Sequence, residues 1–370
     1  MRKLNEVELE LTSKCNAACP ACKRTQLNIK GRLEINDIVL TDLQKAFEAI
    51  DLEDADIRFC GILGDPCVHN DIESISKYFI DNKKARVNIY TNGGMQTPKF
   101  WANLGYISKI NSSKYRQGLT VKFAVDGLED TNHLYRRNVN WQKVWANMTA
   151  YSQAGGFGIW NFIIFKHNEH QIDQALKKAK ELNFNFFTKS AWRNSDPLIV
   201  PTKPKTQEHK GRSKPVEKIN ILPVIEGPTL YTQKESAKDI EQKITKKNYK
   251  MVRNDLKNVC KWTAKTAIYL GSDNKVWPCC YFGNETANEK SVIKNKIGNA
   301  FGNKWNDIKQ KSIEEILSHE YFNIILEESW QIDHPLHIPT CYKYCGDNGR
   351  RSNAIITERL EKNNAILDKL

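Results

Sequence analysis

The chain has 370 residues, 40% hydrophobic and 27% charged, with a formal net charge of +13. That composition excludes wholesale disorder and collagen-like or coiled-coil structure, and no stretch nears the ~18 consecutive apolar residues of a membrane-spanning helix. The opening run MRKLNEVELELTSKC alternates charged and apolar residues without a continuous apolar core. It does not read as a secretory signal, so the cytoplasm is the expected compartment. At about 100–200 residues per domain, one large unit and one smaller one are expected.

In chain order, residues 6–12 (EVELELT) alternate like a strand and lead into the loop TSKCNAACPACKRTQ. Residues 41–50 (TDLQKAFEAI) have helical periodicity after a Thr/Asp start. Further strands are expected at 56–62, 86–94, 120–127, 157–165 and 184–190. The clearest helices between them are 142–155 and 169–182. This order implies parallel strands joined by helical crossovers, and parallel barrels gather functional groups at the C-terminal ends of their strands. Residues 201–259 then change character, with fourteen Lys or Arg against seven Asp or Glu. They read as an exposed linker with a short helix near 234–247, or as a lid or docking strip for an anionic partner. Beyond them TAIYLG, SDN and KVWP form a hairpin pattern, 312–330 reads as a helix, and the tail from Arg351 as a terminal helix.

Ten cysteines fall at 15, 19, 22, 60, 67, 260, 279, 280, 341 and 345. A cytosolic chain keeps few disulfides, so clustered thiols point to metal or redox use. Cys15, Cys19 and Cys22 form C-x3-C-x2-C, and three thiols within eight residues can point inward from one loop. A cubane iron–sulfur cluster takes four thiolates, so three leave one iron open, and an open metal position normally means chemistry there. A zinc knuckle is the alternative, but no histidine or fourth cysteine follows within twenty residues of Cys22.

C-x3-C-x2-C just after a first strand resembles the signature of radical S-adenosylmethionine (SAM) enzymes. The resemblance implies an α/β fold, a partial (β/α)6 TIM-like barrel over residues 1–195, with a [4Fe–4S] cluster on Cys15, Cys19 and Cys22 and SAM chelated to the open iron. The family often has an aromatic residue before the third cysteine, where this chain has Ala21. Gly64, Asp65 and Pro66 are similar to the family's Gly-Gly-Glu-Pro segment, which meets the SAM amino group. Asn92, Asp126 and Asn168 stand at strand ends where the family contacts SAM, and Arg137 would suit its carboxylate through two parallel hydrogen bonds. Ala124 replaces a serine that commonly contacts the SAM ribose. His133 and His167 read as ordinary hydrogen-bonding residues, and Cys60 and Cys67 as small buried hydrophobes.

The later thiols look like a twitch domain, the shorter relative of the SPASM domain. Cys260, Cys279, Cys341 and Cys345 are enough for a second, auxiliary [4Fe–4S] cluster with no open iron. Cys280 is the expected spare, because neighbouring residues point apart, and zinc is again the alternative. Asn274 stands where the family's hairpin has glycine, and Asn tolerates a positive φ. The expected organisation is a barrel over 1–195, a basic linker or lid over 196–257, a twitch-like unit over 258–348 and a helical tail over 349–370.

What the resemblance implies is an oxidoreductase. An external one-electron donor such as flavodoxin reduces the first cluster, SAM is cleaved to a 5′-deoxyadenosyl radical, and the radical abstracts hydrogen from a substrate C–H bond. Oxidation (dehydrogenation) and epimerisation are both open. The positive charge favours an anionic substrate, small and carbohydrate-like or nucleotide-linked, or else a ribosomally made peptide. Only 14 residues precede Cys15, so a peptide-recognition domain would have to be a separate protein, which favours the small molecule. RNA modification or methylation is a further enzymatic alternative. The alternative of another class is a metal-stapled, non-enzymatic RNA-binding protein, motivated by the basic linker and nine tryptophans; no nucleic-acid motif supports it.

Overall fold

Alternation at period two gives the central sheet its two faces. The computed structural model describes residues 1–111, 118–165, 167–190, 198–201, 215–219, 260–287, 291–331, 333–338, 340–341 and 345. Six parallel strands lie side by side in chain order: β1 Glu6–Leu9, β2 Asp56–Phe59, β3 Arg86–Thr91, β4 Leu119–Ala124, β5 Gly158–Ile164 and β6 Asn185–Ser190. On one face Val7, Leu9, Ile57, Phe59, Val87, Ile89, Val121, Phe123, Trp160 and Phe162 are buried in a single hydrophobic core. Each such side chain contributes roughly 1.5–3 kcal/mol by leaving water. Leu43 of α2 (Leu40–Ala46), Ile75 of α3 (Ile72–Lys77), Trp101 of α4 (Pro98–Ile110), Met148 of α5 (Trp141–Gln153) and Ala179 of α6 (Ile172–Glu181) belong to the same core. The architecture is α/β, an open partial barrel with helices on its outer face.

The hairpin, β7 Ala267–Leu270 and β8 Val276–Trp277, extends this sheet. Strand β7 pairs parallel with β1, setting Tyr269 beside Glu8 and Leu270 beside Leu9. The turn between β7 and β8 puts Asn274 at φ 64°, a left-handed conformation that Asn accepts. Edge strands are thus β8 on one side and β6 on the other.

Local signals explain the element ends. Helix α4 starts at Thr97, whose side chain accepts from the Phe100 N–H at 3.3 Å, with proline in the first turn. Helix α5 starts at Asn140, which accepts from the Lys143 N–H at 2.8 Å. Two expectations change. The helix expected over 41–50 stops at Ala46, and Ile50–Asp51 instead forms a short strand against Arg2–Lys3. The helix expected over 312–330 is broken into Ile313–Leu317, a wide π turn at Tyr321–Ile325 and Leu326–Glu328. Among the described residues no helix is long and apolar enough to cross a membrane. Apart from the antiparallel pair Leu198–Pro201 with Pro215–Ile219, the expected linker with its short helix and the expected tail helix lie outside the described residues.

Candidate active site

The first three thiols sit on the loop between β1 and α1 (Lys23–Ile29), at the C-terminal end of the barrel. Backbone pairing anchors the loop on both sides. The Ser13 N–H donates to the Asn36 carbonyl at 3.0 Å, the Ala18 N–H to the Arg137 carbonyl at 3.0 Å, and the Asp65 N–H to the Lys14 carbonyl at 2.8 Å. Cys22 caps α1, and its N–H donates to the Cys19 carbonyl at 3.1 Å. Cys19 is buried, while Cys15 and Cys22 are half-buried. Burial lifts the Cys15 thiol well above its ordinary range, and Asp65, Cys19 and Cys22 add to the lift. Burial pushes Cys19 up to about 11, against the pull of Arg136.

Polar N–H groups face these sulfurs. The Arg136 Nη1 lies 3.8 Å from Cys19 Sγ, the Asn92 Nδ2 3.9 Å from Cys15 Sγ, and the Ala17 N–H donates to Cys15 Sγ at 3.3 Å. This donor set suits thiolates, and so fits a bound metal cluster, because metal ligation removes the thiol protons. Among the described residues no three His, Cys, Asp or Glu side chains gather as around one metal ion. A cubane spreads its thiolates, one to each iron.

Behind the loop, four of the residues expected to bind a cofactor form a buried brace. Asp65 accepts from Thr91 Oγ1 at 2.9 Å, from the Asn92 N–H at 2.8 Å, from Asn92 Nδ2 at 2.6 Å and from the Cys67 N–H at 3.0 Å. It ties the end of β2 to the end of β3. Asp126 is fully buried, pairs with Arg136 Nε at 2.6 Å and accepts from the Ile163 N–H at 2.7 Å. Burial raises the Asp126 carboxyl above its usual range, with Arg136 pulling it back. Asn168 accepts from the Phe165 N–H at 2.7 Å and donates to the Asp126 and Ile163 carbonyls, both at 2.9 Å. Asn92 also donates to Asn16 Oδ1 at 2.8 Å. These side chains are engaged with the protein itself. Gly64 is required for a different reason: a Cβ there would lie 1.7 Å from the Thr12 carbonyl oxygen. Pro66 opens the short helical turn Pro66–Val68 that follows.

Arg137 is half-buried and contributes its carbonyl to the cysteine loop. The guanidinium at the thiols is that of its neighbour Arg136, not of the expected Arg137. Cys67 is fully buried beside Asp65 and Thr91, whereas Cys60 is half-buried and faces Glu8, Glu10, Lys261 and Arg58. His167 stacks on Phe165 with centroids 5.2 Å apart, and burial holds its imidazole down to about 4.

The second thiol set comes together from three parts of the chain. Cys260, Cys279, Cys341 and Cys345 line one cavity, with Lys261, Phe282 and Trp330 among its other walls. Burial raises Cys341 far above its ordinary range, and Cys260, Cys279 and Cys345 add to the rise. The Trp330 side chain lies beside Cys341 in that cavity, and the buried Tyr321 lies in the field of Cys341, Cys279 and Cys260. Cys280 does not line the cavity. Its N–H donates to Glu8 Oε2 at 3.2 Å, and its thiol lies in the field of the same carboxyl.

The polar face of the sheet carries residues that no sequence motif marks. Glu6, Glu8 and Glu10, Arg58 and Cys60, Asn88 and Tyr90, and Lys122 alternate with the core residues of their strands. Arg58 pairs with Glu6 at 2.8 Å, and Lys261 with Glu8 at 2.6 Å and Glu6 at 3.3 Å. Glu10 is buried where β1 meets the hairpin. It accepts from the Leu63 N–H at 2.5 Å, the Gly64 N–H at 3.1 Å and the Tyr269 hydroxyl at 2.8 Å, and burial raises it to about 7. The signal was the alternation in EVELEL, which period two assigns to one face.

No family model and no curated protein sequence matches the chain. Solved structures do resemble it in backbone. A histidine-tagged anSMEcpe with bound AdoMet has a TM-score of 0.49 at 12% identity, covering 98% of this chain and 95% of its own. SuiB of Streptococcus suis bound to S-adenosylmethionine has a TM-score of 0.44 at 13% identity, covering 90% of this chain and 67% of its own. BtrN in complex with AdoMet and 2-DOIA has a TM-score of 0.40 at 14% identity, covering 92% of this chain and 93% of its own.

Proposed function

We propose that the chain is a radical SAM enzyme that oxidises or epimerises a small anionic or carbohydrate-like substrate. The observation that carries the reading is the set of three thiols on one loop at the end of β1, with the Arg136 guanidinium and the Ala17 N–H beside the sulfurs. When bound there, a reduced [4Fe–4S] cluster with SAM on its open iron supplies a 5′-deoxyadenosyl radical able to take hydrogen from an unactivated C–H bond. The chain's own residues do the rest. Cys15, Cys19 and Cys22 would hold the three protein-ligated irons. Arg136, fixed by Asp126, favours the thiolate form at Cys19. The brace of Asp65, Asn92, Asp126 and Asn168 keeps the strand ends in register, leaving backbone groups of the Gly64–Pro66 segment to meet SAM. The buried aromatic pair Tyr135 and Phe165, with ring centroids 4.5 Å apart, packs near Cys19 and Cys22 and keeps water from that side of the loop.

Cys260, Cys279, Cys341 and Cys345 would fill every position of an auxiliary [4Fe–4S] cluster, a ligand set suited to electron transfer rather than substrate ligation. With that acceptor in place the outcome is a two-electron oxidation; a hydrogen donor in its stead gives an epimer of unchanged mass. A flavodoxin-like protein would supply the first electron. The peptide-maturase alternative has the same inner face to work with.

The test is anaerobic incubation with SAM and dithionite. The expected result is 5′-deoxyadenosine and methionine from the wild type and neither from Cys15→Ala. No cleavage by an iron-loaded wild type overturns the reading.

A further inference from the structure

The polar inner face of the barrel holds a charge that the described residues leave unmatched. Three of its cations have carboxylate partners: Arg58 has Glu6 at 2.8 Å, Lys261 has Glu8 at 2.6 Å, and Arg86 at the start of β3 has Asp56 at 3.1 Å. Lys122, half-buried in the middle of β4, has none within ion-pair distance among the described residues. Its Nζ donates instead to the Tyr90 hydroxyl at 2.9 Å. Tyr90 and Lys122 are register partners on adjacent strands, so their side chains stand together on one face. Arg58 and Lys189 face Lys122 as further cations, with Asp56 and Glu6 as the acids opposing them. Burial, then these cations, bring its ammonium down to about 8.

A half-buried ammonium among cations is costly unless something anionic meets it. Tyr90 adds a second donor. Burial pushes its phenol up to about 12, so the hydroxyl keeps its proton. Because its oxygen accepts from Lys122, that proton is left to donate elsewhere. The place also suits a substrate. Lys122 precedes Ala124, the last residue of β4, by two positions, and the Asp126–Arg136 pair follows. At about 3.3 Å per strand residue, Lys122 lies one side-chain layer beneath the strand ends that carry the cysteine loop.

We propose that Lys122 and Tyr90 form an oxyanion-binding subsite on the inner face of the barrel, which anchors a carboxylate or phosphate group of the substrate. The assignment to substrate rests on the reading of this chain as a radical SAM enzyme, whose reaction chamber this face would be. The subsite itself needs neither iron nor SAM, so it can be tested separately.

The experiment is competitive labelling of the full chain with pyridoxal 5′-phosphate, an anionic amine reagent, trapped by borohydride at pH 8 and mapped by peptide mass. A lysine titrating near 8 holds on the order of a hundredfold more free amine at that pH than an ordinary one, so Lys122 is expected to label at least tenfold faster than the exposed lysines. Inorganic phosphate or succinate should protect it, and whichever protects better identifies the group. Lys122→Met should remove the protectable label. Tyr90→Phe should keep the label and lose several-fold in protection, with circular dichroism confirming the fold of both. Labelling of Lys122 no faster than exposed lysines, or labelling that neither anion slows, overturns the subsite. Equal protection by S-adenosylhomocysteine overturns its assignment to the substrate. Failure of SAM cleavage with protection intact would remove the radical reading and leave the anion site standing.

Discussion

The two thiol sets are built in opposite ways. The first is local: Cys15, Cys19 and Cys22 lie on one short loop, and the fold only has to brace that loop. The second is assembled from Cys260 before α7 (Lys261–Lys265), Cys279 after the hairpin, and Cys341 and Cys345 some sixty residues later, and exists as a cavity only once the hairpin has docked. A local motif carries its chemistry in its spacing. A dispersed one carries it in the sheet pairing that brings β7 to β1. The first set should therefore answer to changes in the strand ends, and the second to changes at the junction.

The largest expected effect on the first set comes from Asp126→Asn. It leaves the Arg136 guanidinium without its buried carboxylate, and breaking such a pair costs about 3–5 kcal/mol. Urea denaturation of the apo chain should show a loss of that order, while the isosteric amide still accepts from the Ile163 N–H. A loss under about 1 kcal/mol, the range of exposed pairs, would mean that the brace does not hold the loop.

The junction is next. Glu10 is raised to about 7 in the folded chain, burial being the largest cause, against an unfolded value near 4.3. Its neutral form is the one that the fold favours. Its stabilising contribution is thus complete below the unfolded value and is lost as pH rises through about 7. Over that window the wild type should lose up to about 3 kcal/mol relative to Glu10→Gln. Stability measured against pH for both chains checks this; parallel curves would show that Glu10 does not change its charge with folding.

The smallest effect separates neighbours. Cys279 lines the thiol cavity, while Cys280 turns to Glu8. Cys280→Ser should leave iron content unchanged, and Cys279→Ser should lower it. Equal losses would make both residues ligands and break the four-thiol arrangement.

Much of both regions was legible where the causes are local. Strand alternation, the cysteine spacing and the Asn274 turn all act over a few residues. The β7–β1 pairing was not, since it joins residues over 250 positions apart in parallel, and no local pattern names the partner. The wide turn at Tyr321–Ile325 sits in an apolar run without a breaker residue, so nothing in the run marks it. Arg136 and Arg137 are adjacent, and only the fold decides which guanidinium reaches Cys19. Lys122 and Tyr90 were visible as polar positions in their strands, but their pairing depends on the β3–β4 register.

The two proposed iron–sulfur sites, of different construction, are told apart by counting iron and sulfide per chain after anaerobic purification. The counts are made for the wild type, for the Cys15/Cys19/Cys22→Ala variant and for Cys341→Ala. About eight irons are expected in the wild type and about four in each variant, with SAM cleavage lost in the first variant. About four irons in the wild type, unchanged by Cys341→Ala, would contradict the auxiliary site, and zinc in place of iron would contradict both.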